Sequence, residues 1–245
     1  MLLLHTENFP NYGLDRIFEI TKKCGFDGVE ISIGENLDTH DAEYLKSLEK
    51  RHGVRILAFS LEMKNQENFL EQFEKVVANF PGTTVNLGSA EILSFKYKNW
   101  ISQKMPRMAR KFGLKINRKN APFKLFFGIF PQRTENSLFS LRSAGNVCLD
   151  LSALWASHEE IMRTINFFDS RLRHVYLSNV ARNKPYCPLP NGILPLESFL
   201  TRLSRENFLG NFTLRLSPRE IFIDDFDKMC KILFESREFF EKYFA

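Results

Sequence analysis

The sequence predicts a single α/β domain in which eight parallel strands close into a (β/α)8 barrel. Three observations predict it. The chain has 245 residues, close to the roughly 250 typical of one such barrel. Strand and helix signals alternate about eight times along it. No low-complexity linker divides it, so residues 1–245 are read as one domain. Strands in such alternation pair in parallel, because each crossover helix packs back on the sheet. An open doubly wound sheet is the alternative, but no glycine-rich phosphate loop follows the first strand, which weakens it.

The elements follow in order. Residues 2–4 form a short apolar strand. Leu14, Ile17, Phe18 and Thr21 then recur at helical spacing, and Gly25 stops the helix. Residues 28–31 are a compact second strand, followed by a helix carrying Tyr44, Leu45 and Leu48 that ends at His52-Gly53. Residues 54–60 are strand three. Phe69, Leu70, Phe73, Val76, Val77 and Phe80 mark the next helix, with Pro81-Gly82 as its stop. Residues 83–87 are strand four, and a helix with Trp100, Ile101, Met105, Met108, Ala109 and Phe112 is expected to kink at Pro106. Strand five is 114–119, an aromatic-rich loop covers 123–132, and a short helix holds Leu138 and Leu141. Strand six is 147–150. Its helix carries Ile161, Met162, Ile165 and Phe168. Strand seven is 172–177, followed by a helix with Leu196, Phe199, Leu200 and Leu203. Strand eight is 211–216, and Phe226, Met229, Leu233 and Phe240 fit a closing helix.

Composition removes several classes. A hydrophobic share of 44% with 26% charged residues is an ordinary globular balance rather than a disordered one. A net charge of +5 favours anionic partners, yet the charges alternate along helix faces instead of forming one basic groove, so nucleic acid is not an expected partner. The four cysteines, Cys24, Cys148, Cys187 and Cys230, form no C-x-x-C pair, which excludes zinc ribbons and redox motifs. Cys24, Cys148 and Cys230 read as small core residues. No apolar run approaches the roughly 18 residues of a membrane span, and Met-Leu-Leu-Leu-His carries no basic leader. A reducing, cytoplasmic setting is expected. The 25 Phe residues exceed what a core of this size hides, so a homo-oligomer contact is a further expectation.

Four stretches resemble one family. Gly25-Phe-Asp-Gly-Val-Glu-Ile31 is similar to G-[YF]-D-G-[VI]-E-L on strand two. Gly113-Leu-Lys-Ile-Asn-Arg-Lys-Asn-Ala-Pro122 aligns without a gap to G-V-x-L-x-L-E-N-H-P on strand five. Val147-Cys-Leu-Asp-Leu-Ser-Ala153 is like the strand-six pattern ending L-D-T-G-H. Arg173-His-Val-Tyr-Leu-Ser-Asn179, Leu189-Pro-Asn-Gly192 and Gly210-Asn-Phe-Thr-Leu-Arg-Leu216 match I-x-x-V-H-L-K-D, a glycine-rich turn and G-x-x-x-x-E-L. Each motif alone is weak, but in this order and spacing the chain resembles the xylose isomerase-like TIM barrels. That family holds sugar (phosphate) isomerases and epimerases, inosose dehydratase-like enzymes and endonuclease IV.

The resemblance implies a metal at the C-terminal mouth, held by a Glu on strand five, an Asp on strand six, a His on strand seven and a Glu on strand eight. Here those positions read Lys119, Asp150, Tyr176 and Arg215, and the Asp near the end of strand seven is Asn179. Two carboxylates are replaced by cations, and a divalent ion beside an ammonium and a guanidinium would be repelled by several kcal/mol. The expectation is a mouth with no metal and no other cofactor, in which Lys119 and Arg215 neutralise Asp150.

Each candidate has a bland counterpart. Lys119 could be a Schiff-base nucleophile, an anion anchor, or a structural partner of Asp150 or Glu30. Arg215 offers a fork for carboxylate or phosphate, or an internal ion pair. Tyr176 could donate to a ligand or fill the barrel. Glu30 and Glu62, near strand ends, could be general bases or paired structural carboxylates. Asp150 is a candidate for proton transfer, and Asn120, Asn179 and His5 for ligand contact. His174 shares the face of Tyr176 and reads first as packing. Phe123–Pro131, with Gly128 as hinge, could be an apolar lid, a dimer contact or a loop on the rim. The leading expectation is a sugar phosphate isomerase/epimerase-like protein acting on or binding a small anionic carbohydrate. A non-catalytic anion-binding pseudoenzyme is the alternative. An endonuclease IV-like phosphodiesterase is disfavoured, because Asn86, Leu87 and Gly88 replace the His-containing strand-four motif that a zinc cluster needs.

Overall fold

The computed structural model describes residues 1–61, 66–123, 125–126, 130–133 and 136–244. Eight strands form a closed, all-parallel barrel: β1 (Leu2–His5), β2 (Gly28–Ile33), β3 (Arg55–Leu61), β4 (Thr84–Gly88), β5 (Lys115–Lys119), β6 (Val147–Asp150), β7 (Leu172–Leu177) and β8 (Asn211–Leu214). Closure is made by β1, whose Leu2, Leu3 and Leu4 pair with Phe212, Thr213 and Leu214 of β8 while its other edge pairs with β2. The barrel sheet itself therefore has no free edge.

The strands alternate in chemistry, and this decides what the barrel can hold. Leu2 and Leu4, Val29, Ile31 and Ile33, Val85 and Leu87, Val175 and Leu177, and Phe212 and Leu214 face the apolar layer under the helices. The intervening residues His5, Glu30, Asn86, Cys148, Asp150, His174, Tyr176 and Thr213 face inward and are buried. A barrel interior is usually filled by branched apolar side chains. Here it is a polar core that must satisfy itself by hydrogen bonding.

The outer ring comprises α1 (Leu14–Lys23), α2 (Ala42–His52), α3 (Leu70–Val77), α4 (Phe95–Asn99), α5 (Met105–Phe112), α6 (Leu138–Ser143), α7 (Leu151–Ala156), α8 (Ile161–Phe168), α9 (Leu196–Arg205) and α10 (Phe226–Tyr243). The longer helices bury the apolar stripes that their spacing predicts, for example Leu14, Ile17, Phe18 and Thr21 on α1 and Met229, Leu233 and Phe240 on α10. Among the described residues no helix is long and apolar enough to cross a membrane.

Several details differ from the sequence reading. Before Pro106 the helix widens into a π turn at Trp100–Lys104, where the Met105 amide reaches back to the Trp100 carbonyl. Proline has no N–H for the ordinary ladder, and the wide turn absorbs the mismatch. The helix α3 stops at Val77 rather than continuing to Phe80. The helix α7 was not expected; the Asp150 carboxylate caps it by accepting the Ala153 amide at 3.0 Å. The aromatic stretch after β5 contains a small pairing of Leu125–Phe126 with Phe130–Pro131. Phe123 and Leu125 are exposed there, and Gly128 lies outside the described residues. A hairpin of Asn179–Ala181 with Lys184–Cys187 follows β7. Cys24, Cys148 and Cys187 are buried, whereas Cys230 is half-buried.

Two glycines separate steric from conformational demands. A Cβ on Gly28 would lie 2.5 Å from the Arg55 carbonyl oxygen and 2.9 Å from Leu57 Cδ1, beside the register shift between β2 and β3. Gly53 has open space but sits at φ +67° as the C-cap of α2. Gly28→Ala is expected to lose about 1–3 kcal/mol through forced backbone movement. Gly53→Ala should lose roughly 1–2 kcal/mol from its left-handed conformation alone. Urea denaturation of both variants measures the two costs.

Candidate functional site

The deepest polar group is the Glu30 carboxylate on β2, fully buried on the barrel axis. Its Oε1 accepts from the Tyr176 hydroxyl and, at 3.1 Å, from Asn86 Nδ2. Its Oε2 accepts from Thr213 Oγ1 at 2.7 Å and lies 3.3 Å from His174 Nε2. Thr213 has one hydroxyl proton and gives it to Glu30, so His174 Nε2 must be the donor in its 2.8 Å contact with Thr213 Oγ1. His5 completes the shell, with Nε2 3.8 Å from Glu30 Oε1 and 3.3 Å from Ser60 Oγ, and Nδ1 accepting the Glu7 amide at 3.1 Å. One carboxylate therefore ties together β1, β2, β4, β7 and β8. Burial pushes its pKa up, but the donors led by His174 outweigh that and hold the carboxyl below its ordinary range. A carboxylate so saturated is a poor general base.

Above it, at the C-terminal ends of the strands, sits Arg215. Its backbone amide extends the β7–β8 pairing by donating to Leu177. Its guanidinium bridges two acids, with Nη1 3.0 Å from Asp150 Oδ2 and Nη2 2.8 Å from Glu7 Oε2. Glu7 Oε1 also accepts from Ser32 Oγ at 2.7 Å. Burial raises the Glu7 pKa, yet Arg215 and His5 overcome this and lower it to about 2. Tyr186, on the hairpin after β7, lays its ring 5.0 Å from the Arg215 guanidinium carbon and donates its hydroxyl to Asp150 at 3.4 Å. Its φ of +62° is uncommon for a bulky residue.

Lys119 stands apart. It is 2% exposed at the end of β5, with Nζ 4.6 Å from the centre of the Tyr176 ring. Among the described residues its ammonium has no hydrogen-bond or ion-pair partner, so the expected salt bridge to Asp150 or Glu30 is not made. Burial, then the nearby Arg215 charge, lowers its pKa. A cation–π contact contributes about 0.5–2 kcal/mol, less than the several kcal/mol of taking an ammonium out of water.

The structure thus brings Asp150, Lys119, Tyr176 and Arg215 to one mouth, with Glu30 and His5 directly beneath. Asn120 and Asn179 are spent on backbone. Asn120 both donates to and accepts from the Asp150 main chain, at 3.0 and 2.7 Å, lacing β5 to β6. Asn179 donates to the Leu189 carbonyl and accepts the amides of Val180 and Leu194. Glu62 lies outside the described residues. Glu7, Tyr186 and Thr213 were not singled out from the sequence. Thr213 was within reach, since it shares a strand face with Arg215, and Glu7 follows β1 by two residues. The Tyr186 backbone geometry has no signal in the residue pattern.

The donor set does not fit a divalent ion. Ammonium and guanidinium have no lone pair to coordinate with, Arg215 fills the gap between the two acids, and the described residues contain no group of three or more His, Cys, Asp or Glu side chains that could hold a metal.

Two predictions follow from this charge pattern. Glu30→Ala strands three buried donors and is expected to cost about 3–5 kcal/mol in urea, whereas Lys119→Met removes an unpaired ion and should be neutral or stabilising. Burial lowers the His5 pKa from its ordinary 6.5 to about 4. The unfolded chain therefore takes up this proton first, and stability falls as pH drops from 6.5 towards 4, by up to about 1.4 kcal/mol per unit. The depressed Glu30 and Glu7 add to the loss below the ordinary carboxylate range. In His5→Asn, denaturation curves across this window should show a shallower slope; an unchanged slope would place the titrating group elsewhere.

The fold has solved counterparts. The chain is 13% identical to a D-allulose 3-epimerase from Methylomonas sp. solved in complex with D-allulose, with a TM-score of 0.73 over 99% of this chain and 96% of that one. It is 15% identical to a 3-keto-D-glucoside 4-epimerase from E. coli, with a TM-score of 0.73 over 97% and 98%. An L-ribulose 3-epimerase gives 14% identity and a TM-score of 0.74 over 99% and 94%. No protein-family model and no curated protein matches the sequence. At these identities the likeness is one of architecture, and it agrees with the closed parallel barrel: the chain shares the (β/α)8 barrel fold of these sugar epimerases.

Proposed function

We propose that the chain binds a small carbohydrate at the C-terminal mouth of the barrel, with no divalent metal in the site. Lys119 would be the donor to an electron-rich oxygen of the ligand, anionic or carbonyl. The observation that carries this reading is the Lys119 side chain, 2% exposed at the mouth, whose ammonium makes no ion pair among the described residues. A ligand oxygen would supply what the protein does not, and a hydrogen bond to a charged group is among the stronger ones. The C-terminal mouth is where ligands of this fold class sit, and the sugar epimerases that share the architecture support a carbohydrate.

Binding without turnover fits the site better than isomerisation. Proton transfer next to a carbonyl needs a base with a pKa near the working pH. Glu30 and Glu7 are held well below it. Asp150 accepts from Ala153, Tyr186 and Arg215 at once. Arg215 is already shared between two acids, so Lys119 is the one mouth cation among the described residues left for a ligand.

Calorimetric titration with ketose phosphates and the corresponding free ketoses tests this reading. Saturable binding is expected, weakened by about 10- to 100-fold in Lys119→Met. Equal affinity in the variant would remove Lys119 from the site. Exchange of a sugar C–H proton with solvent deuterium at a rate set by the protein would restore the isomerase/epimerase reading.

A further inference from the structure

We propose that Lys119 captures the carbonyl carbon of an open-chain sugar as a reversible imine; the proposal rests on the carbohydrate reading of the same mouth. Three features of the geometry support it. The side chain stands at the end of β5, buried, with its ammonium 4.6 Å from the centre of the Tyr176 ring and in no ion pair among the described residues. The Arg215 guanidinium shares that aromatic ring, 5.7 Å from its centre, so a second positive charge sits nearby. The two acids that could have neutralised Lys119 are bound to Arg215 instead. Burial and the neighbouring cation both favour the neutral amine, the form whose lone pair can attack a carbonyl.

The step balances without an oxidant or reductant. The Nζ lone pair forms a bond to the carbonyl carbon, and the carbonyl oxygen takes the proton that nitrogen releases. The carbinolamine then loses its hydroxyl with a second nitrogen proton as water, leaving a carbon–nitrogen double bond. The net change is amine plus carbonyl to imine plus water. The departing hydroxyl leaves as water with that proton, so the step needs no donor from Arg215 or Tyr186, whose polar groups are bound to Glu7 and Asp150. Ring-closed sugars hide the carbonyl, so aldehydes, ketones and ketoses rich in the open form are the class expected to react.

The test uses the whole chain at neutral pH with dihydroxyacetone and sodium borohydride, followed by peptide mass mapping. The expected result is a reduced adduct on Lys119 that forms before adducts on exposed lysines such as Lys50, and that is lost in Lys119→Arg. The map of the unaltered protein is decisive without any variant. Lys119 left unmodified, or modified no faster than Lys50, would overturn the proposal. A sugar alcohol phosphate, which has no carbonyl, separates this failure from failure of the site itself. If it binds while Lys119 stays unlabelled, the imine is wrong and the carbohydrate site stands; if it does not bind and Lys119 stays unlabelled, both fall.

Discussion

A carboxylate buried on the axis of a barrel has to be satisfied from within, and the interior of this protein is organised around that requirement. Glu30 draws donors from three other strands, Asn86 on β4, Tyr176 and His174 on β7 and Thr213 on β8, with the His5 imidazole of β1 3.8 Å away. Leaving such a charge unpaired would cost several kcal/mol, a large part of the roughly 5–15 kcal/mol that keeps a domain folded. The contacts link side chains across the barrel, with His174 shared between Thr213 and Glu30.

The same logic runs upward into the mouth, where it decides the chemistry. Asp150 and Glu7 meet the Arg215 guanidinium, and Tyr186 closes over it. An ion pair of this kind stabilises little by itself once desolvation is counted. Its consequence is positional: the space between the acids is filled by an organic cation that coordinates nothing. Lys119 is left with a π face for a partner. On the proposed reading, such a site offers a ligand a hydrogen-bond donor and a nucleophile in Lys119 rather than a base for taking protons from carbon.

Much of the architecture was legible because it depends on periodicity and spacing. The bounds 147–150 and 172–177 read from the sequence coincide with β6 and β7. The alternation of apolar and polar residues places Lys119, Asp150, Tyr176 and Arg215 on inward faces. Other features depend on geometry that no residue pattern encodes. Tyr186 reaches Asp150 through a left-handed backbone conformation on a hairpin. Asn120 and Asn179 stand at strand ends and read as ligand contacts, yet their amides pair with main-chain groups only apparent in three dimensions. The role of Asp150 as cap of α7 was hidden because that helix is six residues long, too short for a periodic signal.

If Arg215 and Lys119 stand in for the divalent ion that the resemblance implies, the mouth binds no such ion. Calorimetric titration of the purified protein with manganese or magnesium tests it most directly. No saturable heat is expected at neutral pH. A stoichiometric binding isotherm that disappears in Asp150→Asn would contradict it, and would mean that the acids bind metal in preference to Arg215.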